Sequence, residues 1–177
     1  MGEAAGRVAE ALERVGLRSE VFTDHGGYPV VWGELREERH GTLLIYNHYD
    51  VQPPDPLEKW ASPPFQPTIR NGRVYARGAC DNKGNLAARL CALDLLLDAI
   101  GEVPLNIKFL IEGEEEIGSP HLSRLLWLMQ QEGGGTIFTC RRGGRGIKLA
   151  RRRDNHNHRS CGREKWCVRL GKTILVS

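Results

Sequence analysis

The chain has 177 residues, 40% of them hydrophobic and 27% charged, enough for one domain with a core of its own and ordinary for a globular protein in water. No apolar run is long enough to span a bilayer, and the start, Met1 to Arg7, carries an acid and no long apolar stretch, which excludes a secretory signal and predicts a cytoplasmic protein. The five cysteines, Cys80, Cys91, Cys140, Cys161 and Cys167, are odd in number and irregularly spaced, which argues against a disulfide framework.

The net charge of +3 hides a division. Residues 1–123 hold 12 Lys+Arg against 19 Asp+Glu, a balance of −7, whereas residues 124–177 hold 13 against 3, a balance of +10. The two parts are expected to behave differently: 1–123 as the domain and 124–177 as a basic Gly/Arg-rich tail, either disordered or an out-of-frame reading.

In chain order, Ala5, Val8, Ala9, Leu12 and Val15 recur at helical spacing and predict an amphipathic helix over 3–15, stopped by Gly16. Residues 18–23 and 29–35 read as strands around the turn residues Asp24 to Gly27. Thr42 to Tyr46 reads as a buried central strand. Residues 52–68 contain six prolines, which excludes a helix through them; Trp60 and Phe65 are the expected anchors of this loop. Asn71-Gly72 predicts a tight turn. Leu86, Leu90, Leu93, Leu97 and Ile100 predict a long helix from Lys83, ended by Gly101. Leu105 to Ile111 is a strand pattern, and Ser119-Pro120 reads as a helix cap and first turn leading through about Leu128. Beyond Ser123 the periodicity fades, and the tracts at 133–135, 141–146 and 151–153 predict disorder, with a strand hint only at 172–177. Strands alternating with long helices imply an α/β domain with a largely parallel or mixed sheet, whose site collects at the carboxyl ends of strands.

Three loops carry chemistry. His48 and Asp50, two residues apart in extended chain, point the same way, so the carboxylate can fix the imidazole's tautomer for metal binding. Asp81 lies in a glycine-flanked loop entering a helix N-terminus, where an anion is favoured. Glu112, Glu114, Glu115 and Glu116 put four carboxylates into five residues, a density that needs solvent or cations; Gly113 and Gly118 allow a bend aiming Glu115 and Glu116 to one side. A surface histidine, a helix-capping aspartate and a solvated acidic turn are the competing readings of these same residues.

The runs His48-Tyr-Asp-Val-Gln-Pro53, Gly72 to Gly84 (with Arg77-Gly-Ala-Cys-Asp-Asn-Lys-Gly84 at its centre) and Glu112-Gly-Glu-Glu-Glu-Ile-Gly-Ser119, in this order, resemble the co-catalytic dizinc peptidase family over residues 3–123. That family includes carnosine dipeptidases, aminoacylases, glutamate carboxypeptidases and succinyl-diaminopimelate desuccinylases. The resemblance implies a three-layer zinc-peptidase-like catalytic domain. In it His48 would bind one zinc, Asp81 would bridge two, and Glu116 would bind the second. Glu115 would act as general base, Asp50 would orient His48, and the Asp81–Asn82 peptide would be cis. It further implies hydrolysis of the amide bond of a dipeptide, short peptide or N-acyl amino acid, with Zn2+ (Mn2+ or Co2+ as substitutes), and homodimers among intact members.

The family pattern also has a later carboxylate ligand, a late histidine and a lid or dimerisation domain, none matched here after Glu116. The expectation is therefore a fragment with weak metal binding and little hydrolysis of its own. Two further readings attach to the tail: non-specific nucleic-acid binding through 141–153, and a small zinc site from His156, His158, Cys161 and Cys167.

Overall fold

A computed structural model describes residues 1–35, 41–131, 138–142, 147–151 and 174–176, with side chains to residue 129. Helix α1 (Gly2–Arg14) precedes strands β1 (Arg18–Phe22), β2 (Val30–Leu35) and β3 (Thr42–His48). A hairpin, β4 (Thr68–Arg70) and β5 (Arg73–Tyr75), leads to helix α2 (Gly84–Ile100), strand β6 (Asn106–Glu112) and helix α3 (Leu122–Gln131). Strands β7 (Phe138–Arg142), β8 (Ile147–Arg151) and β9 (Ile174–Val176) follow.

The main sheet runs β1-β2-β6-β3-β9. It is mixed: β3 and β6 are parallel, while β1/β2, β2/β6 and β3/β9 are antiparallel. A mixed sheet is within the expectation; its parallel pair, β3 and β6, is the one joined by the α2 crossover, which a parallel connection needs.

Alternation along the central strands sorts the core into two layers. Ile107, Phe109 and Ile111 of β6 pack with Val31 and Ile45 against α1 and α2, through Ala5, Val8, Ala9, Leu12, Leu86, Leu90 and Leu93. Leu110 and Leu44 face the opposite way and pack with Val30 against Leu122, Leu125 and Leu126 of α3. This is the three-layer helix–sheet–helix arrangement. Each fully buried aliphatic side chain contributes on the order of 1.5–3 kcal/mol by leaving water, so both faces must be covered for the sheet to persist.

Four local expectations are corrected. Strand β3 continues two residues past Tyr46, because Asn47 and His48 keep pairing with Ile111 and Glu112. Ser119 does not cap α3: it has φ +53, its Oγ donates to Glu112 Oε1 at 2.8 Å, and the helix begins at Leu122. The hydroxyl serves a buried carboxylate instead of a helix N–H. Phe65 is 63% exposed and anchors nothing; Trp60 does, donating its indole N–H to Pro54 O at 2.6 Å with the Arg77 guanidinium stacked over its ring. Helix α3 runs past Leu128 to Gln131. Strands β7 and β8 pair antiparallel with each other. Phe138 to Arg141 alternates apolar with polar, and Ile147-Lys148-Leu149 does so briefly. The strand hint at 172–177 corresponds to β9, paired with the outer edge of β3. His156, His158, Cys161 and Cys167 lie outside the described residues, as do the side chains of 141–153.

Candidate metal centre

The parallel register pairs His48 with Glu112, so β3 and β6 end side by side. Their following loops therefore start from one edge of the sheet. His48 is buried, 4% exposed. Its Nδ1 lies 3.2 Å from Asp50 Oδ1, and its Nε2 lies 3.1 Å from Asp81 Oδ1 and 3.8 Å from Glu115 Oε2. Burial alone would lower the imidazole's pKa, but the Asp50 hydrogen bond and the negative charges of Glu115, Asp50 and Asp81 outweigh it and raise it above 6.5. The reason is stoichiometric. Neutral imidazole has one N–H, and carboxylates face both ring nitrogens. With Nδ1–H held by Asp50, removal of the Nε2 proton leaves a lone pair directed at Asp81 and Glu115, the arrangement a metal-binding histidine requires.

Asp50 reaches further than expected. Besides His48 it accepts, through Oδ2, the backbone N–H of Glu116 at 2.9 Å. Burial would raise its pKa, yet these hydrogen bonds and the nearby imidazolium hold it below 3.8. One carboxylate thus ties the loop after β3 to the loop after β6.

The Glu112–Ser119 segment bends as its glycines allow. Gly113 has no room for a side chain, since a Cβ would run into the Tyr49 ring. A single 3-10 turn over Glu115–Ile117 follows, closed by Gly118 at φ +86. The four carboxylates then separate. Glu112 is buried and accepts hydrogen bonds from the Tyr46 and Ser119 hydroxyls. Glu114 is buried facing His121, which leaves Glu115 and Glu116 on the cluster side. Ligand atoms of His48, Glu115 and Glu116 all lie within 4.8 Å of one another. Burial raises the Glu115 pKa, helped by the charges of Glu116, Asp50 and Asp81 and opposed by His48.

Asp81 sits in the irregular turn Ala79–Lys83, at φ −124 and ψ 97, with a cis peptide to Asn82. Gly78 enters this turn at φ +83, where a Cβ would meet Val51 Cγ1 at 2.6 Å. Lys83 Nζ donates to Tyr49 O at 2.6 Å and fastens the turn to the β3 loop. The side chain of Asp81 is 73% exposed and touches His48, but it stands outside the tight His48–Glu115–Glu116 group.

His48, Asp50, Asp81, Glu115 and Glu116 therefore converge. One nitrogen and several carboxylate oxygens within a few ångströms suit zinc and similar divalent ions, so the donor set fits the expected metals. Sequence reasoning missed Gln52, whose amide donates to Glu116 Oε2 at 2.8 Å and to Glu116 O at 3.2 Å. The signal was its place two residues past Asp50 in extended chain, continuing the 48, 50, 52 period. It also missed Tyr46 and Ser119, which receive meaning only once Glu112 is known to be buried.

A mixed sheet between helical layers, with imidazole and carboxylates at the ends of its parallel strands, has the layout of an α/β metallohydrolase domain. Residues 44–149 match the model of Peptidase family M20/M25/M40, and the chain belongs to that family. It is 41% identical over 99 residues to the human Beta-Ala-His dipeptidase, covering 55% of this chain and 20% of that protein. It is 37% identical over 110 residues to succinyl-diaminopimelate desuccinylase of Bordetella avium, covering 62% and 28%. Among solved structures, an M20 family metallo-carboxypeptidase from Sulfolobus solfataricus superposes with TM-score 0.69 at 46% identity, covering 74% of this chain and 30% of that one. Human carnosine dipeptidase 1 gives 0.64 at 36% identity, covering 71% and 29%. The chain thus spans less than a third of the length of these relatives. The family is metal-dependent, generally through zinc. No helix among the described residues is long and apolar enough to cross a membrane.

Proposed function

We propose that the chain contributes part of a divalent-metal centre that hydrolyses an amide bond, in a dipeptide, short peptide or N-acyl amino acid. The observation that carries this reading is the meeting of His48 Nε2 with Asp81 Oδ1 at 3.1 Å and Glu115 Oε2 at 3.8 Å, from three segments distant in sequence. His48, Asp81 and Glu116 would hold the ions, with Asp50 orienting His48 and Gln52 holding Glu116. When bound, a pair of Zn2+ ions supplies Lewis-acid polarisation of the scissile carbonyl and makes water a stronger acid.

Glu115 then acts as the proton carrier. Its raised pKa suits a base that takes a proton from the attacking water and returns it to the leaving nitrogen. The water oxygen forms the new C–O bond, the C–N bond breaks, and the returned proton completes the free amine. The names of the relatives support the substrate class: one is a Beta-Ala-His dipeptidase, another a succinyl-diaminopimelate desuccinylase.

With Glu115 kept as base, His48, Asp81 and Glu116 are three ligands for two ions among the described residues. Structural zinc sites use four protein ligands per ion, and catalytic ones three with a position left open. The chain taken alone is accordingly expected to bind weakly and turn over little. The test is isothermal titration of the purified chain and its His48→Ala variant with Zn2+, alongside hydrolysis of β-Ala-His and an N-succinyl amino acid. Loss of heat in the variant supports the centre, and equal binding by both refutes it. Tight uptake of two ions with rapid turnover would overturn only the expectation of weak activity.

A further inference from the structure

Glu114 stands beside the proposed base yet takes no part in the cluster, and its surroundings are built around it. It is 5% exposed. His121 Nδ1 lies 3.0 Å from its Oε2 and 3.1 Å from its Oε1, and the Tyr28 backbone N–H donates to Oε1 at 3.3 Å. A carboxylate only accepts, so the His121 proton resides on Nδ1. The backbone of the same residue closes the turn: Glu114 O accepts from Ile117 N at 3.2 Å and from Ser119 N at 2.7 Å.

The loop before β2 is fitted to this pair. A Cβ on Gly27 would lie 2.6 Å from Glu114 Oε2 and 2.8 Å from His121 Cβ, so only glycine lets the backbone come this close. His25, 1% exposed, lies in the same packing within electrostatic reach of Glu114, His121 and Arg124. Two stretches distant in sequence therefore meet on one buried carboxylate: the 24–29 loop and the Glu114–His121 segment that leads into α3.

We infer that Glu114, backed by His121, is a positioning residue for Glu115 and Glu116: a carboxylate–imidazole latch that fixes the turn presenting them. The inference rests on the metal-centre reading proposed above. Removing one carboxylate from a run of three would ordinarily relieve repulsion among like charges and help the other two. Here it is expected to harm them, because Glu114 faces away from the cluster and holds its neighbours' backbone.

The test uses Co2+ titration of the whole chain, followed by the visible absorption of the bound ion, with thermal melting measured in parallel. Glu114→Gln keeps the shape but turns an amide NH2 toward either His121 Nδ1–H or Tyr28 N–H. It should weaken Co2+ binding about tenfold or more and alter the absorption bands. His121→Gln, at a side chain 41% exposed, is the second variant in case the first fails to fold, and should weaken binding by a smaller factor with the same spectral change. Unchanged affinity and spectrum in a folded variant, with His48→Ala losing the ion, would overturn the latch and leave the metal centre standing. A wild-type chain with no cobalt spectrum at all would overturn both.

Discussion

Asp50→Asn changes two hydrogen bonds while hardly changing volume. Asp50 accepts from His48 Nδ1 at 3.2 Å and from Glu116 N at 2.9 Å, each with a different oxygen. An asparagine offers one oxygen and one NH2, so one of the two N–H donors must face another donor inside a buried site. A hydrogen bond to a charged group contributes about 1.5–3 kcal/mol, so destabilisation of roughly 2 kcal/mol near neutral pH is expected, read from urea denaturation. The pH dependence carries the sharper test. Asp50 has its pKa lowered in the folded state, so its contribution is present above the unfolded value near 3.8 and fades as pH falls through the folded one. His48 has its pKa raised, so the contribution of its charge is full below 6.5 and fades as pH rises through the folded value. The gap between wild type and variant should therefore be widest between about pH 4 and 6.5 and narrow on both sides. It should not vanish at high pH, because the Glu116 N–H bond does not depend on His48. A gap that is flat with pH, or that widens in acid, would refute the coupling of the two loops through this carboxylate.

Zn2+ affinity should rise as pH is increased through the raised His48 pKa, above 6.5, because the metal competes with a proton for Nε2; titrations at several pH values check the slope. Tyr46→Phe removes one of two hydroxyl donors to the buried Glu112 and should cost about 1–3 kcal/mol. Burial raises the Glu112 pKa, so that loss should be greatest above it, where the carboxylate is charged, and smaller in acid; denaturation at two pH values decides. Leu12→Ala, at a fully buried side chain packed over Gly33, should cost about 2–5 kcal/mol with little change in metal affinity, measured by melting and titration together.

The amphipathic helix α1, the long helix α2, strands β1, β2, β3 and β6 and the Asn71-Gly72 turn were legible in the sequence, because short-range periodicity and turn chemistry decide them. The proposed site residues were legible too: His48 and Asp50 by their two-residue spacing, and all five by the motifs around them. What the chain alone left open was where Glu112 and Glu114 go. Four carboxylates in five residues look interchangeable as letters, but the bend at Gly113 and the turn at Glu115–Ile117 give them different neighbours. Glu112 goes to Tyr46, Glu114 to His121, and Glu115 and Glu116 to His48. Those partners lie on other elements, and they come within reach only because β3 and β6 run parallel and end at the same edge of the sheet. Local pattern sets which segments are helix or strand; contacts between segments far apart in sequence are settled by sheet order and packing, which no local pattern contains.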